Sequence, residues 1–444
     1  MNLLLNPQNK KIWFFYLTLI NLFWVGMNCP DLSQGFFFLC TLILLGFFVQ
    51  AREDRIPVST FAFLVAYLFF HYSALYYYGF IKAFALVKEP LFLLASYKFG
   101  HFLGRSRLPQ WEENIFLILL AMISGFVIFA FLSIYLAPNV SMYTPQVVGE
   151  AKAGRTGIMI WTGEQGGFGP ILGIQGNLGT AFLPVILFGA MHELFKNRKE
   201  TLFILGVASF FIVCGLYTNV LLKNRGPFVI IAGLFCIISL HNIIFTPSRL
   251  TPEKLVKKII VGLTGVVIVV GMFSHLPKAD DLSHLAVVSR FTQEGHSSPR
   301  TMFWKNCIKI IAENPMGGRK DYFGHEYAHN IWLDVGYDSG VATMIFLIIF
   351  HFIHFKAMFT LVFGRLPIHP AVISAMIALF CIIFISLFTE PVGKGYTIYY
   401  AMTFFYCGLL KRMTADGINL KKEHILNEIN HRLRYAGCMP SRLH

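Results

Sequence analysis

The sequence has little charge and lacks several motifs of soluble enzymes. Only 14% of its residues are Asp, Glu, Lys or Arg, whereas a soluble domain carries about 25%. It contains no Asp-x-Asp pair for the metal of a sugar nucleotide, no Walker-type phosphate loop, no His-Glu-x-x-His zinc motif and no Gly-x-Ser-x-Gly elbow. These absences argue against a soluble fold and against ATP as the driver, and we expect neither a metal nor a cofactor.

Cysteine is present, but without the spacing of a metal site or a redox pair. None of the 8 Cys residues stands in a Cys-x-x-Cys motif. Most of them lie in apolar runs, where Cys behaves as a small hydrophobe. Cys29 and Cys307 fall in segments predicted to face the outer side, so a disulfide between them stays open.

Long apolar runs dominate the chain, of which 56% is hydrophobic. Each is close to the length of a membrane-spanning helix, and helices satisfy their own backbone hydrogen bonds in lipid. We therefore predict an all-α, polytopic membrane protein with about twelve transmembrane helices. The runs lie near residues 12–27, 33–50, 58–77, 80–97, 114–136, 177–194, 201–217, 227–245, 258–275, 338–355, 369–388 and 395–410.

The distribution of Lys and Arg predicts the orientation. With the N-terminus inside, every short inner loop is basic, and the short outer loops near 28–32 and 73–79 hold no Lys or Arg. Both termini are then cytoplasmic. The net charge of +14 is explained by this pattern, so we expect membrane lipids and no nucleic acid as partners.

Two outer segments are long, and a basic tail ends the chain. The outer loops cover about 137–176 and about 276–337, and the second is rich in Arg, Lys and His. The excess of Lys and Arg that marks cytoplasmic loops applies to short loops only, so the cations of these long outer loops need another explanation. We predict a transmembrane domain over residues 1–410 and a basic cytoplasmic tail over 411–444.

Four side chains on the predicted outer side could carry chemistry. Arg225 stands at the outer start of a span, and Arg290 and Arg300 lie in the second long loop, which ends near His329. Arg binds phosphate through paired N–H groups, and His accepts protons near neutral pH. The plainer alternatives are an interfacial anchor for Arg225, a solvated loop for the other arginines and a hydrogen-bonded loop residue for His329.

Lys88 interrupts the fourth apolar run. Ionisable groups at that depth are costly and usually face a cavity or a partner. We predict that Lys88 lines an internal cavity. An ion pair with another residue is the alternative, although neighbouring Glu89 points to a different side of a helix.

The late part of the chain resembles a known family. His329-Asn330, nine residues and then Gly340-Val341-Ala342-Thr343 resemble a signature of bacterial O-antigen ligases. Arg300-Thr301-Met302-Phe303-Trp304, the turn Asn314-Pro315-Met316-Gly317-Gly318 and Asn224-Arg225-Gly226 resemble further family segments in the same order. The resemblance covers roughly 210–390.

The resemblance implies a fold and an activity. Members of this superfamily of O-antigen ligases and polymerases are GT-C-like glycosyltransferases of the bacterial inner membrane. They take a glycan linked to undecaprenyl diphosphate on the periplasmic side and transfer it without a metal and with inversion. It implies that His329 is the catalytic base and that Arg225, Arg300 and more loosely Arg290 bind the diphosphate. We expect Asn330, next to the base, and Lys88, from its place in the fourth apolar run, to support the site.

Several functions stay open at this point. We expect a ligase whose acceptor is lipid A–core, with a polymerase that extends a lipid-linked glycan as the close alternative. A transporter of lipid-linked sugars and a non-catalytic scaffold are the other classes. Twelve spans would suit a transporter, but the sequence lacks the internal repeat that transporters often show.

Overall fold

The structure is a computed structural model, and it describes the following residues of the chain. They are residues 7–28, 56–105, 110–136, 169–183, 197–222, 299–322, 326–390 and 397–435, with short pieces between 157 and 166 and between 186 and 238 and the single residues 35 and 392. Arg225, Arg290 and Cys29 lie outside these residues, as do the predicted span 258–275 and, apart from residue 35, the predicted span 33–50.

The described residues are mostly helical. The helices are α1 (Pro7–Gly26), α2 (Val58–Tyr77), α3 (Ala83–Leu103), α4 (Trp111–Tyr135), α5 (Gly169–Gly179), α6 (Arg198–Leu221), α7 (Pro299–Glu313), α8 (Ile331–Ser339), α9 (Val341–Phe363), α10 (Pro370–Thr389) and α11 (Thr397–Tyr435). A 3-10 turn (Thr180–Phe182) follows α5, and a short antiparallel pair joins β1 (Gly157–Ile158) to β2 (Gln165–Gly166).

Five of these helices are long and apolar enough to cross a membrane, namely α2, α4, α6, α9 and α10. Large apolar side chains point outward from them, such as Phe69, Phe203 and Phe359, which suits contact with lipid. The chain is thus a helical, multi-pass membrane protein. The spans predicted at 58–77, 114–136, 201–217 and 369–388 agree with helices to within a few residues.

The boundaries differ from prediction in several places. The predicted run 80–97 ends six residues before α3 does, and the predicted outer loop 137–176 contains most of α5. The predicted run 338–355 crosses a junction, because α8 ends at Ser339 and α9 starts after Gly340, whose φ of 88° breaks the helix. The predicted outer loop 276–337 thereby contains all of α7 and most of α8. The last span and the tail share one helix, because α11 runs through residue 410 without a break.

Glycines bring neighbouring helices into direct backbone contact. A Cβ on Gly100 of α3 would lie 1.8 Å from the carbonyl oxygen of Phe405, and one on Gly408 of α11 would lie 2.0 Å from that of Tyr97. Small residues at such crossings replace a hydrophobic driving force with close packing. The same device joins α1 to α4 through Gly26 and Gly125.

Candidate active site

Three helix ends bring a guanidinium, a carboxylate and an imidazole together. Arg300 lies in the first turn of α7, His329 stands two residues before α8, and Glu390 follows the end of α10. Nη2 of Arg300 donates to Oε1 of Glu390 at 3.2 Å. Nδ1 of His329 lies 3.8 Å from Oε2 of the same carboxylate. Their side chains are 39%, 21% and 16% exposed for Arg300, His329 and Glu390, so the cluster is sheltered but open to a ligand.

The turn that carries His329 is held from both sides. The indole Nε1 of Trp304 in α7 donates to the carbonyl of Ala328 at 2.8 Å. The N–H of Ala328 donates to Oδ1 of Asp334 in α8 at 2.7 Å. His329 itself has a left-handed φ of 57°. The Arg-to-Trp segment of α7 therefore contacts the site at both ends, through Arg300 and through Trp304.

Asn330 begins α8. Its side-chain oxygen accepts from the N–H groups of Trp332 and Leu333, each at 3.2 Å. Asn is a favoured residue at this position because it satisfies N–H groups that have no partner within the helix. The two residues of the His-Asn pair therefore make different contacts. Asn330 caps α8, and His329 faces Glu390.

Asp334 is a buried carboxyl beneath this turn. Its pKa is raised to about 7, mainly by burial and also by the charge of Asp338, while the hydrogen bond from the N–H of Ala328 opposes the shift. Its other oxygen, Oδ2, is buried without a hydrogen-bond partner among the described residues. Near neutral pH the group is therefore close to its midpoint between the charged and neutral forms.

The glycine turn after α7 fits against the junction of α8 and α9. The N–H of Val341 donates to the carbonyl of Pro315 at 2.9 Å, and the N–H of Gly318 donates to that of Asp338 at 3.0 Å. A Cβ on Gly317 would lie 2.5 Å from the backbone nitrogen of Gly340. This contact joins the Asn-Pro-x-Gly-Gly turn to the Gly340 segment.

Arg319 is a structural cation next to this turn. Its Nε donates to Oδ1 of buried Asp338, and its guanidinium lies over the rings of Phe80, Tyr327 and Tyr337 at 5.1, 5.4 and 5.8 Å. Stacking and an ion pair together account for this side chain. It serves to join the loop to α8.

Trp332 connects α8 to the end of α10. Its indole Nε1 donates to Nδ1 of His351 at 3.0 Å, and its ring centroid lies 4.4 Å from that of Phe388. Phe388 stands two residues before Glu390. This packing holds the carboxylate beside the turn that carries His329.

The predicted site residues have different outcomes. Arg300 and His329 meet at Glu390, and Asn330 supports them as the cap of α8. Lys88 lies in the second turn of α3, near its start and not at its middle, with Nζ 5.8 Å from the ring centroid of Phe84. Arg225 and Arg290 lie outside the described residues, so their roles stay predictions.

Sequence reasoning missed Glu390. Three helices, α8, α9 and α10, separate it from His329 in the chain, and it lies beyond the signature that ends at Thr343. The available signal was its position: a single carboxylate directly after an apolar run, at the predicted outer face, followed by Pro391. An ionisable group at such a place is a candidate for a functional role.

Cys307, the cysteine in the second long loop, lies buried in α7. Burial raises the pKa of the Cys307 thiol to about 12, and the thiol is unpaired, with Sγ 3.8 Å from the carbonyl oxygen of Leu333. Its possible disulfide partner Cys29 is outside the described residues.

Within the described part of the chain, no three His, Cys, Asp or Glu side chains are grouped to hold a metal ion.

Comparison with known proteins gives no relative. No protein-family model matches the chain, and no curated protein sequence matches it. Inference about function therefore depends on the short motifs and on the geometry of the cluster.

Proposed function

We propose that this protein is a glycosyltransferase of the O-antigen ligase and polymerase type. In this proposal it moves a glycan from undecaprenyl diphosphate to an acceptor hydroxyl at the periplasmic face of the bacterial inner membrane. The observation that supports it most is the shared contact of Arg300 and His329 with the two oxygens of Glu390. Two residues singled out separately by sequence pattern thus belong to one site.

The arginine side of the cluster suits a diphosphate. Arg300 lies in the first turn of α7, and α8 begins directly after His329 and Asn330. Two helix N-termini therefore flank the site, and each carries a partial positive charge that favours anions. A guanidinium next to them would stabilise the diphosphate as it leaves.

The histidine side suits a general base. The acceptor hydroxyl would give its proton to Nε2 of His329 while its oxygen attacks the anomeric carbon of the glycan. The bond from that carbon to the phosphate oxygen breaks, and the lipid diphosphate keeps the electron pair. Glu390 beside Nδ1 would orient the imidazole and stabilise it when protonated, as a carboxylate does in other catalytic pairs with His.

The acceptor that we propose is lipid A–core, which makes the protein a ligase. A growing lipid-linked glycan in its place would make it a polymerase with the same donor chemistry. Transfer by purified protein in detergent, where no compartments exist, would exclude pure transport of lipid-linked sugars.

The test is transfer by purified protein from a defined undecaprenyl-diphosphate-linked glycan to either acceptor. We expect His329→Ala to lower kcat about 100-fold or more, since a general base contributes that much. Glu390→Gln should lower kcat as well, and Arg300→Lys should reduce transfer because it loses the paired N–H groups.

Matched controls separate these effects from general damage. Lys305→Gln removes an exposed cation from the same helix as Arg300, and His424→Ala removes an exposed imidazole from α11. Both should keep full activity. Full transfer by folded His329→Ala would remove that residue from its proposed role, and absence of transfer to both acceptors by the wild-type chain would refute the proposal.

A further inference from the structure

A cavity lies at the far end of α9 from the candidate active site. Its volume is about 440 Å³, within the range of small-molecule sites. Lys356, which lines it, is fifteen residues beyond Val341, or about 22 Å along a helix at 1.5 Å per residue. The predicted orientation places this end of α9 at the cytoplasmic face.

The cavity carries positive charge. Lys356 of α9 and Lys411 of α11 both line it, and none of the described residues that line it is acidic. Because both lysines line one cavity, their like charges repel one another. Among the described residues, neither has an ion-pair partner; the nearby Asp416 of α11 pairs with Arg412 at 3.0 Å. An anion between the two lysines would relieve this repulsion.

Hydrogen-bond donors also line the cavity. Thr60 in the first turn of α2 lines the cavity and is 1% exposed. Its hydroxyl has no hydrogen-bond partner among the described residues. The helix starts after Pro57 without a side-chain cap, so the first N–H groups of α2 remain available near Ser59 and Thr60.

The other walls are apolar, which points to the kind of anion. Phe352 and Ile353 of α9 and Ile418 of α11 line the cavity beside the lysines. Phe352 is 68% exposed on a helix that is long and apolar enough to span the membrane. A ligand with a phosphate next to hydrocarbon would satisfy both kinds of wall, whereas a free inorganic ion would leave the apolar surface uncovered.

We propose that this cavity, formed by α2, α9 and α11, binds the phosphate headgroup of an anionic phospholipid of the cytoplasmic leaflet. Lys356 and Lys411 contact the phosphate, the hydroxyl of Thr60 and the start of α2 donate to its oxygens, and Phe352 and Ile418 contact the glycerol and upper acyl chain. Basic pockets between membrane helices on this side are a known setting for such headgroups. The site does not depend on the proposed transferase activity.

The test is native mass spectrometry of delipidated full-length protein in detergent, titrated with dioleoylphosphatidylglycerol or with uncharged dioleoylglycerol. We expect tight binding of one phosphatidylglycerol and no comparable binding of dioleoylglycerol. The double variant Lys356→Gln/Lys411→Gln should bind phosphatidylglycerol roughly tenfold or more weakly, because two charge-assisted contacts are lost. The near-isosteric Thr60→Val should weaken binding less, with the fold intact.

A charge-matched control decides between a site and general attraction. Lys199→Gln/Lys422→Gln removes two exposed cations from segments of the same predicted face and should bind as the wild type does. Equal loss in this control, or unchanged binding in the cavity double variant, would overturn the proposal. Competition by millimolar inorganic phosphate that displaces the lipid completely would overturn the lipid assignment in favour of a free anion.

Discussion

His329 holds a backbone conformation that residues with a Cβ usually avoid. Its φ of 57° costs about 1 kcal/mol relative to an ordinary conformation. Trp304 and Asp334 compensate by fixing the carbonyl and the N–H of the preceding residue, Ala328, at 2.8 and 2.7 Å. Strain that is held in place by its surroundings is common at functional sites, which agrees with the proposed role of this residue.

The buried carboxyl of Asp334 predicts a pH dependence of stability. Its pKa is about 7 in the folded protein and about 4 in an unfolded chain. Its contribution is therefore fully present below about pH 4 and is lost as the pH rises through about 7. Asp334→Asn, which stays neutral and still accepts from Ala328, should make the Tm less dependent on pH over this window.

Thermal unfolding in detergent across that pH window measures the effect. Glu423→Gln on the exposed part of α11 serves as the control and should follow the wild type. An Asp334→Asn curve parallel to that of the wild type would show that Asp334 is not the titrating group.

Residue-level prediction reached only part of the site, for a physical reason. Arg300 and His329 stand in a polar loop, where Arg and His are conspicuous and their chemistry can be inferred from residue type. Glu390 joins them through the packing of Trp332 against Phe388, a tertiary contact with no counterpart in the local sequence.

At the scale of elements, the predicted helix boundaries agree with the structure where Pro or Gly interrupts the helical pattern. Helix α2 agrees with the predicted run at both ends, because Pro57 precedes it and Gly79, with a φ of 76°, follows. The predicted run 338–355 included the junction at Gly340, although Asp338, Ser339 and Gly340 are not apolar, and the left-handed φ of Gly340 is what ends α8 there. The length of α11 was missed because polarity changes near residue 411 while the backbone stays helical.

The crossing of α3 and α11 predicts a sensitive position. Gly408→Ala should lower the free energy of unfolding by about 1–3 kcal/mol, because the new Cβ would overlap the backbone of Tyr97 and force the helices apart. Thermal or denaturant unfolding in detergent measures it. Gly206→Ala is the matched control, since nothing lies within 4 Å of its Cβ position. Equal stability of both variants would contradict the close contact.

For the molecule as a whole, the predicted orientation assigns the His329 cluster and the lysine cavity to opposite membrane faces. Met316 is 74% exposed in the turn after α7, and Leu426 is 58% exposed on α11. In intact cells with a permeable outer membrane, Met316→Cys should react with an impermeant maleimide. Leu426→Cys should react only after the inner membrane is opened, because it is predicted to be cytoplasmic.

The wild-type chain, labelled in parallel, gives the background from its native thiols. The reverse pattern of labelling would invert the topology and exclude a periplasmic site. Equal labelling of both positions in intact cells would place the two on one side and contradict the charge-based orientation.

The unbroken course of α11 has a mechanical consequence. Its 39 residues make a rod about 58 Å long, roughly twice the thickness of the hydrocarbon core of a bilayer. The first half packs among other helices, while the side chains from Glu423 to Asn430 are exposed. Such a rod acts as a lever: a load applied to its distal turns would be transmitted as torque to the crossing with α3, without a hinge to absorb it.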